Sequence, residues 1–386
     1  MKFNVTDTIK YIGVDDKDLD LFESQYVVPN GVSYNSYLIK DEKIVIMDTA
    51  DKRAVNEWNK NLEEALEGSL PDYLVISHLE PDHSANIQAL AKKYENLKII
   101  LNKKTADMMG QFFDMDFSSR YVIVQEGDVI DIGKHKLQFF MAPMVHWPEV
   151  MVTYEQTEHV LFTADGFGKF GTLDTDEDWA CEARRYYFNI VGKYGMQVQT
   201  LLKKVANLDV KAICPLHGPV LKENLEYYIG KYDTWSSYKP EDDGVFIAYN
   251  SIHGNTAKAI EKLENILKEN GAKKVVVTDL ARCDIAEAVE DAFRYDKLII
   301  GAPTYDAGLF PATETFVRDL KHKNYQNRKI GIVENGSWAP MAAKQIQEIL
   351  KDMKDIKVCD TVVSIKTKAN EENVEQMKEL VKEILE

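Results

Sequence analysis

Short apolar runs separated by polar turns dominate the first part of the chain, up to about residue 235. The runs at 43–47, 73–77, 121–124 and 136–140 have the length and composition of β-strands. A helical stretch at 85–94 lies among them, so the pattern predicts an α/β first domain.

Buried-type strands alternate with helices in the rest of the chain. Five such strands with helices between them predict a doubly wound parallel sheet. The amphipathic segment 371–386 is expected to be a closing helix with a solvated face. The five predicted strands are 245–249, 274–278, 297–300, 329–333 and 361–365.

The apolar periodicity lapses around 236–244, where Pro240, Gly244 and a run of acids favour a linker. We therefore predict two domains, 1–240 and 244–386. A length of 386 residues is consistent with two or three domains.

Charge and cysteine usage narrow the function classes. The 47 Lys and Arg against 63 Asp and Glu give a net charge of −16, which disfavours nucleic acid and anionic membranes as partners. No apolar run approaches the ~18 residues of a spanning helix, and no signal-peptide core follows the N-terminus, so we expect a cytoplasmic protein. The four cysteines form no C-x-x-C pair, which excludes a zinc ribbon and disfavours a disulfide framework.

The densest group of chemically active side chains is the hexapeptide 78–83, which contains His78, Glu80, Asp82 and His83. Pro81 disfavours helical backbone at Glu80, so we expect a loop at the end of a strand, where these side chains converge on one point. Metal binding is the functional interpretation. A solvated polar loop with a helix cap is the alternative for this hexapeptide taken alone.

Three later residues strengthen the metal interpretation, because His146, Asp165 and His217 each follow an apolar run. Four imidazoles and three carboxylates are too many for one ion and suit two ions that share a bridging carboxylate. Such ligands favour iron, manganese or zinc, and the residues alone do not choose among the three. The remaining histidines at 135, 159 and 322 are interpreted as ordinary surface or turn residues.

A second constellation follows the first strand of the second domain. Hydroxyls and backbone N–H groups at the start of the predicted helix 257–268 form an anion site. This loop contains neither a Walker motif nor a G-x-G-x-x-G fingerprint, which favours a phosphate monoester. The loop consists of Ser251, Ile252, His253, Gly254, Asn255 and Thr256.

Two further loops follow the third and fourth strands of this domain, and each carries an aromatic residue. At the carboxyl ends of parallel strands, Tyr305 and Trp338 are placed to flank a planar ring above the phosphate, as flavin mononucleotide (FMN) requires. The alternative is that both merely fill loop cores. The candidate residues are Pro303, Thr304, Tyr305 and Asp306 in one loop and Asn335, Gly336, Ser337 and Trp338 in the other.

In this order the motifs resemble the flavodiiron proteins over essentially the whole chain. That family joins a metallo-β-lactamase-like αββα sandwich with a di-iron centre to a flavodoxin-like domain with FMN, and Glu80 gives its H-x-E-x-D-H motif. The resemblance implies that His78, Glu80 and His146 hold one iron, that Asp82, His83 and His217 hold the other, and that Asp165 bridges. The third flavin loop departs from the more usual tyrosine-glycine-tryptophan form.

The resemblance also implies an activity, namely reduction of dioxygen to water, of nitric oxide to nitrous oxide, or of both. A flavin delivers single electrons, and zinc has no accessible redox change, so iron is expected at the centre. Without a C-x-x-C pair, electrons are expected from a separate rubredoxin or flavoprotein reductase. With radii of gyration of ~18 and ~14 Å for the two domains, transfer is expected between chains of a head-to-tail homodimer, with a tetramer also open.

Two other functions remain in competition with this one. A metal-dependent hydrolase of the metallo-β-lactamase fold would use a metal-activated hydroxide, and a non-catalytic electron carrier would keep FMN beside a vestigial metal site. The sequence leaves open the preferred gas, the donor and the role of segment 22–26, which lacks a histidine that some family members carry there.

Overall fold

The computed structural model describes residues 3–386. The chain forms two compact units: one comprises the residues up to Tyr187 with Met196–Asp233, and the other comprises Phe188–Gly195 with Thr234–Glu386. Within the described residues, no helix is both long and apolar enough to cross a membrane.

The segment predicted as a linker, 236–244, packs inside the second unit. Tyr238 is buried and its hydroxyl donates to the carbonyl of Gly192 at 2.8 Å. Trp235 Nε1 donates to Glu241 Oε2 at 2.7 Å. The stretch is polar in composition, but its aromatic side chains anchor it, which a lapse in periodicity alone does not reveal.

The first unit contains two sheets. Six strands are ordered β1-β6-β7-β8-β9-β10, and five are ordered β11-β12-β13-β14-β15, with two small two-stranded sheets, β2-β5 and β3-β4. The strands are β1 (Ile9–Tyr11), β2 (Val14–Asp16), β3 (Leu21–Phe22), β4 (Tyr26–Val27), β5 (Val32–Tyr34), β6 (Tyr37–Lys40), β7 (Ile44–Met47), β8 (Tyr73–Val75), β9 (Lys98–Asn102), β10 (Tyr121–Val124), β11 (Val129–Asp131), β12 (Lys136–Met141), β13 (Met151–Glu155), β14 (Val160–Phe162) and β15 (Ala212–Cys214).

One apolar core joins the inner faces of these two sheets. Val45 and Ile100 of the first sheet belong to the same buried cluster as Phe139 and Val160 of the second. The helices are amphipathic, as in α1, which buries Trp58 and exposes a polar face. They are α1 (Val55–Leu66), α2 (Pro81–Ser84), α3 (Ile87–Lys93), α4 (Lys103–Phe112), α5 (Trp179–Tyr186), α6 (Gly195–Val205) and α7 (Leu225–Ser236).

Parallel pairing sets the direction in which the site loops point. Strands β7, β8, β9 and β10 are parallel to one another, and β14 is parallel to β15. The segments that follow β8, β14 and β15 therefore leave their sheets at carboxyl ends, where side chains from neighbouring strands approach each other.

The second unit is a parallel sheet in the order β17-β16-β18-β20-β21, with β19 paired antiparallel to β18. All five predicted strands are present, and several are longer because their ends carry polar residues. The elements are β16 (Asp242–Tyr249), α8 (Asn255–Glu269), β17 (Val275–Asp279), α9 (Ile285–Arg294), β18 (Tyr295–Tyr305), β19 (Gly308–Leu309), α10 (Pro311–His322), β20 (Arg328–Asn335), α11 (Ala342–Leu350), β21 (Ile356–Ile365) and α12 (Glu371–Leu385).

Candidate metal centre and flavin pocket

Four of the seven candidate ligands form a first group. His78 Nε2 lies 3.2 Å from Glu80 Oε2 and 3.3 Å from Asp165 Oδ2. His146 Nε2 lies 3.0 Å from Glu80 Oε2 and 3.2 Å from Asp165 Oδ2. Two imidazole nitrogens and two carboxylate oxygens thus converge on one point, although they come from three separate loops.

The other three candidate ligands form a second group. His83 Nε2 lies 3.1 Å from His217 Nε2, and each of these nitrogens lies 3.3 Å from Asp82 Oδ2. All three residues are buried.

Asp165 connects the two groups. Its Oδ2 belongs to the first group, whereas its Oδ1 lies 3.4 Å from His83 Nε2 and 3.7 Å from His217 Nε2. One carboxylate therefore presents an oxygen to each cluster of nitrogens, which is the arrangement that a bridging ligand between two ions requires.

The hexapeptide 78–83 is only partly the loop that its sequence predicts. Glu80 is extended, with φ −55° and ψ 139°, but Pro81 begins the short helix α2, so Asp82 and His83 lie in a helical turn. The loop prediction is wrong for the second half of the hexapeptide, 81–83. Proline disfavours helical backbone in the residue before it, but proline itself is well suited to the first position of a helix. The change of backbone at Pro81 directs Glu80 to the first ligand group and Asp82 and His83 to the second.

Residues outside the seven hold the imidazoles in place, and the sequence analysis missed them. The buried Glu149 places Oε1 at 2.8 Å from His78 Nδ1 and also accepts from the backbone N–H of Leu79. The His217 ring donates from Nδ1 to the carbonyl of Ser33 at 2.7 Å. Glu149 follows His146 by three residues in the same loop. This closeness to a candidate ligand is the feature from which its role could have been predicted.

The buried polar atoms fit a pair of cations. Among residues 3–386, none of the four carboxylate oxygens of Asp82 and Asp165 has a hydrogen-bond partner. Nδ1 of His78 lies against Glu149 and Nδ1 of His217 donates to the carbonyl of Ser33, so the Nε2 atoms of both rings face carboxylate oxygens or another ring. Acceptors buried face to face are costly unless positive charge lies between them. Mixed imidazole and carboxylate donors suit iron, manganese or zinc.

The electrostatics of the cluster lead to the same conclusion. Burial opposes the ionised form of Asp165, but the neighbouring His78, His146 and His83 hold its pKa well below its usual range. Burial also opposes charge on His146, yet Asp165 and Glu80 raise its pKa to about 9. The Asp165 carboxylate therefore remains charged, and the site attracts positive charge.

The segment 22–26 borders this cluster. The ring of Phe22 packs edge-on against His217, with centroids 5.3 Å apart, and Tyr26 packs against Phe170. Glu23 has a φ of 48° and is exposed. A carboxyl and two aromatic rings thus belong to the segment that borders the metal ligands.

One histidine outside the cluster differs from its sequence interpretation. His135 lies in the turn between β11 and β12, as its interpretation allows, but it is 3% exposed rather than on the surface, and its Nδ1 lies 2.7 Å from Asp41 Oδ2. Its Nε2 lies 3.0 Å from Thr8 Oγ1. These partners come from distant turns of the chain, and their approach is set by sheet pairing rather than by local spacing.

The three loops predicted to bind flavin line one cavity of about 540 Å³ in the second unit. Gly254 is the one predicted residue that does not contribute to its wall. The lining residues are Ser251, Ile252, His253, Asn255, Thr256, Pro303, Thr304, Tyr305, Asp306, Ala307, Asn335, Gly336, Ser337, Trp338, Ala339, Met341 and Thr367.

The first of these loops has the structure of an anion site. Gly254, with φ of 86°, turns the chain into α8 in a conformation that favours glycine. Ser251 Oγ accepts from the backbone N–H groups of Gly254 and Ala257, which leaves its own proton free to donate. Thr256 Oγ1 lies 3.3 Å from Asn335 Nδ2, so the first and third loops are joined.

Thr367 is a lining residue that the sequence analysis missed. Its backbone N–H donates to Asn335 Oδ1 at 3.0 Å, and its hydroxyl donates to Ser337 Oγ at 2.7 Å. Thr367 lies in the loop after β21. Because the loops that follow parallel strands meet at one edge of the sheet, this position could have been predicted to line the pocket.

The two candidate stacking residues are accessible. Tyr305 is 45% exposed and Trp338 is 89% exposed, and both stand on the wall of the cavity. They do not fill loop cores, as the alternative interpretation required.

Comparison with known proteins identifies two domain families within the chain. Residues 32–218 match the ODP family beta lactamase, and residues 246–358 match the Flavodoxin domain. An uncharacterized protein of Methanocaldococcus jannaschii is 31% identical, with 100% of this chain and 98% of that protein covered. The anaerobic nitric oxide reductase flavorubredoxin of Vibrio vulnificus is 30% identical, with 95% of this chain and 76% of that protein covered.

Solved structures agree with these matches. Rubredoxin oxygen:oxidoreductase from Desulfovibrio gigas superposes with a TM-score of 0.92 at 25% identity, covering 100% of this chain and 98% of that one. A flavo di-iron protein from Thermotoga maritima, at 24% identity, has the same fold with a TM-score of 0.90 and covers 100% and 98%.

The fold and the two sites define a redox flavoprotein with a binuclear metal domain, as the sequence predicts. The chain belongs to the flavodiiron protein family. It is an oxidoreductase, and the cofactors of this family are FMN and a pair of iron ions.

Proposed function

We propose that this protein reduces dioxygen to water, nitric oxide to nitrous oxide, or both, with electrons relayed from FMN in the second unit to two irons in the first. The observation that supports this most directly is Asp165, whose two carboxylate oxygens face two separate ligand groups. A site for one ion would not need that arrangement, whereas two metals side by side can act on a diatomic molecule.

The ligand roles follow the two groups. His78, Glu80 and His146 would hold one iron, and Asp165 would be shared with the other. At the first iron Glu80 would supply a negative charge where a third imidazole would be neutral, and a carboxylate favours the more highly charged oxidation state of iron. Asp82, His83 and His217 would hold the second iron.

The bound iron pair supplies reversible one-electron chemistry at neighbouring centres. The protein residues hold it in place. Glu149 and the carbonyl of Ser33 fix the ring orientations of His78 and His217. The edge of Trp147 packs on His78, with centroids 5.1 Å apart, and helps to exclude water.

In the second unit, we assign the FMN phosphate to the first loop. The Ser251 hydroxyl, the Thr256 hydroxyl and the N–H groups at the start of α8 would donate to it, as at other helix N-termini. Tyr305 and Trp338 would flank the ring system, and this role suits their exposure in the absence of a planar ligand.

We further propose that electrons arrive from a separate rubredoxin or flavoprotein reductase in the cytoplasm, and that the protein works as a head-to-tail homodimer, with a tetramer as a further possibility. Trp338, at 89% exposed on the wall of the flavin pocket, is accessible to such a partner. Electrons would then cross from the second unit of one chain to the first unit of its partner.

Subunit exchange tests the crossing. Mixing His83→Ala chains with Ser251→Ala/Thr256→Ala chains makes about half the dimers hybrid under random pairing, and each hybrid has one intact cross-chain pair of two. Activity should recover to about a quarter of the wild-type value. Differently tagged chains verify exchange, and confirmed hybrids without activity would refute transfer between chains.

The function itself is tested by reducing the purified protein without oxygen and mixing it separately with dioxygen and with nitric oxide. We expect turnover of at least one gas, yellow flavin absorbance and iron in the preparation. A colourless zinc protein with hydrolase activity would replace the proposal with the hydrolase alternative. Bound FMN without turnover of either gas would favour an electron carrier.

A further inference from the structure

A small apolar cavity lies in the first unit beside the metal ligands. Its volume is about 20 Å³, enough for one small molecule. Its inner wall includes Val145 and, across from it, Gly166 and Phe167. Val145 directly precedes His146, and Gly166 directly follows Asp165, so two ligand-bearing loops form this wall.

The outer wall is the apolar side of α6. Val198 is 1% exposed and closes the interior, whereas Leu202 and Val205 are only half-buried. The cavity therefore extends from the ligand loops toward a part of the helix that solvent reaches. A diatomic molecule entering beside Leu202 would meet an apolar wall from there to Val145.

The polar atoms of the side chains beside the cavity do not form its lining surface. The Thr163 hydroxyl donates to the carbonyl of Gly166 at 2.6 Å, and the Tyr232 hydroxyl accepts from the backbone N–H of Phe167 at 2.5 Å. The surface that faces the space is apolar. A buried water needs two to four polar partners, whereas dry apolar cavities take up xenon and similar molecules.

We propose that this cavity is a docking site for the diatomic gas on its way to the metal pair. The inference rests on the proposed function, because it assigns the cavity to the substrate of that reaction. Dioxygen and nitric oxide are small, uncharged and weakly hydrated, so they partition into an apolar space that excludes ions and water. The cavity would raise the local gas concentration directly behind the loops of His146 and Asp165.

Two measurements test the site, and one of them is independent of activity. Crystals of the loaded protein under xenon pressure should show density within the cavity. Val198→Phe fills the space from the interior, and Val205→Phe narrows it from the half-buried end with less risk to folding. Both variants should lose the xenon density and show a KM for the gas raised severalfold, with kcat at saturating gas unchanged.

Met196→Phe is the matched control, since Met196 lies on the same helix, is 76% exposed and does not line the cavity. It should keep the xenon density and the wild-type KM. Thermal unfolding, iron content and flavin content establish that each variant is folded and loaded. Absence of xenon from the wild type, or an unchanged KM in a folded and loaded Val205→Phe variant, would overturn the docking site while leaving gas reduction intact. Wild-type protein that consumes neither gas would overturn the proposed function, and the docking role with it.

Discussion

The metal cluster and the flavin pocket are constructed in different ways. In the cluster, ligand atoms from separate loops are buried face to face, and the carboxylate oxygens of Asp82 and Asp165 find no hydrogen-bond donor among the described residues. In the pocket, polar groups satisfy one another, as in the contacts of Asn335 with Thr256 and Thr367. A cluster of this kind needs its cations to be stable, whereas the pocket is formed before its ligand binds.

This difference indicates where substitutions should be most damaging. Removing one buried charge from the cluster disturbs both ions and the packing of the first unit. Removing one contact from the pocket should have a smaller effect, because many other groups also bind the same ligand.

The largest effect is expected from Asp165→Asn, which keeps the shape of the side chain but removes the shared charge. We expect reduced iron content and a loss of gas reduction of about two orders of magnitude or more, with FMN content unchanged. Metal analysis, flavin absorbance and gas consumption are the measurements. The exposed Asp114→Asn is the control. Normal iron and turnover in Asp165→Asn would exclude the bridging role.

Glu149→Ala should have the next largest effect, because it removes the carboxylate that holds the His78 ring. Loss of such a partner typically lowers metal affinity by about 10–100-fold. Dialysis against graded chelator, followed by metal analysis, measures this. Glu155→Ala is the matched control, since Glu155 is equally buried, accepts from backbone N–H groups of the turn that follows it and is not one of the seven ligands or their partners. Equal iron retention by both variants would show that Glu149 does not position a ligand.

In the pocket, Ser251→Ala with Thr256→Ala should lower FMN affinity by about one order of magnitude or more, because hydrogen bonds to a charged phosphate contribute roughly 1.5–3 kcal/mol each. Titration of the flavin-free protein with FMN, followed by fluorescence, gives the Kd. Iron content should stay at the wild-type level. Thr278→Ala, on β17 and outside the pocket wall, is the control. A double variant that purifies with full flavin would refute the assignment of this loop.

The smallest effect is expected from Trp338→Leu. An offset aromatic contact contributes roughly 0.5–1.5 kcal/mol, so FMN affinity should fall only several-fold. Because Trp338 is so exposed, the same change should weaken self-association, which analytical ultracentrifugation measures. A fall in FMN affinity as large as that of the double alanine variant would show that stacking, rather than the phosphate loop, dominates binding.

Much of this description was predictable from local sequence. The five strands of the second unit, the phosphate loop and the seven candidate ligands each carry a local signal, such as an apolar run followed by a polar residue. The less predictable features depend on distant partners. Glu149 and Thr367 have no motif of their own, and His135 is buried because Asp41 and Thr8 approach it from other turns.

The sequence by itself determined which side chains of this protein are available for chemistry and on which strand ends they stand, because periodicity and proline act over a few residues. Only the tertiary structure decided how they combine. It turned the two oxygens of Asp165 toward different groups, placed Asp82 and His83 in a helical turn, and set Glu149 behind His78. The physical reason is that sheet pairing and core packing bring together residues far apart in the chain, and local patterns contain no record of those distances.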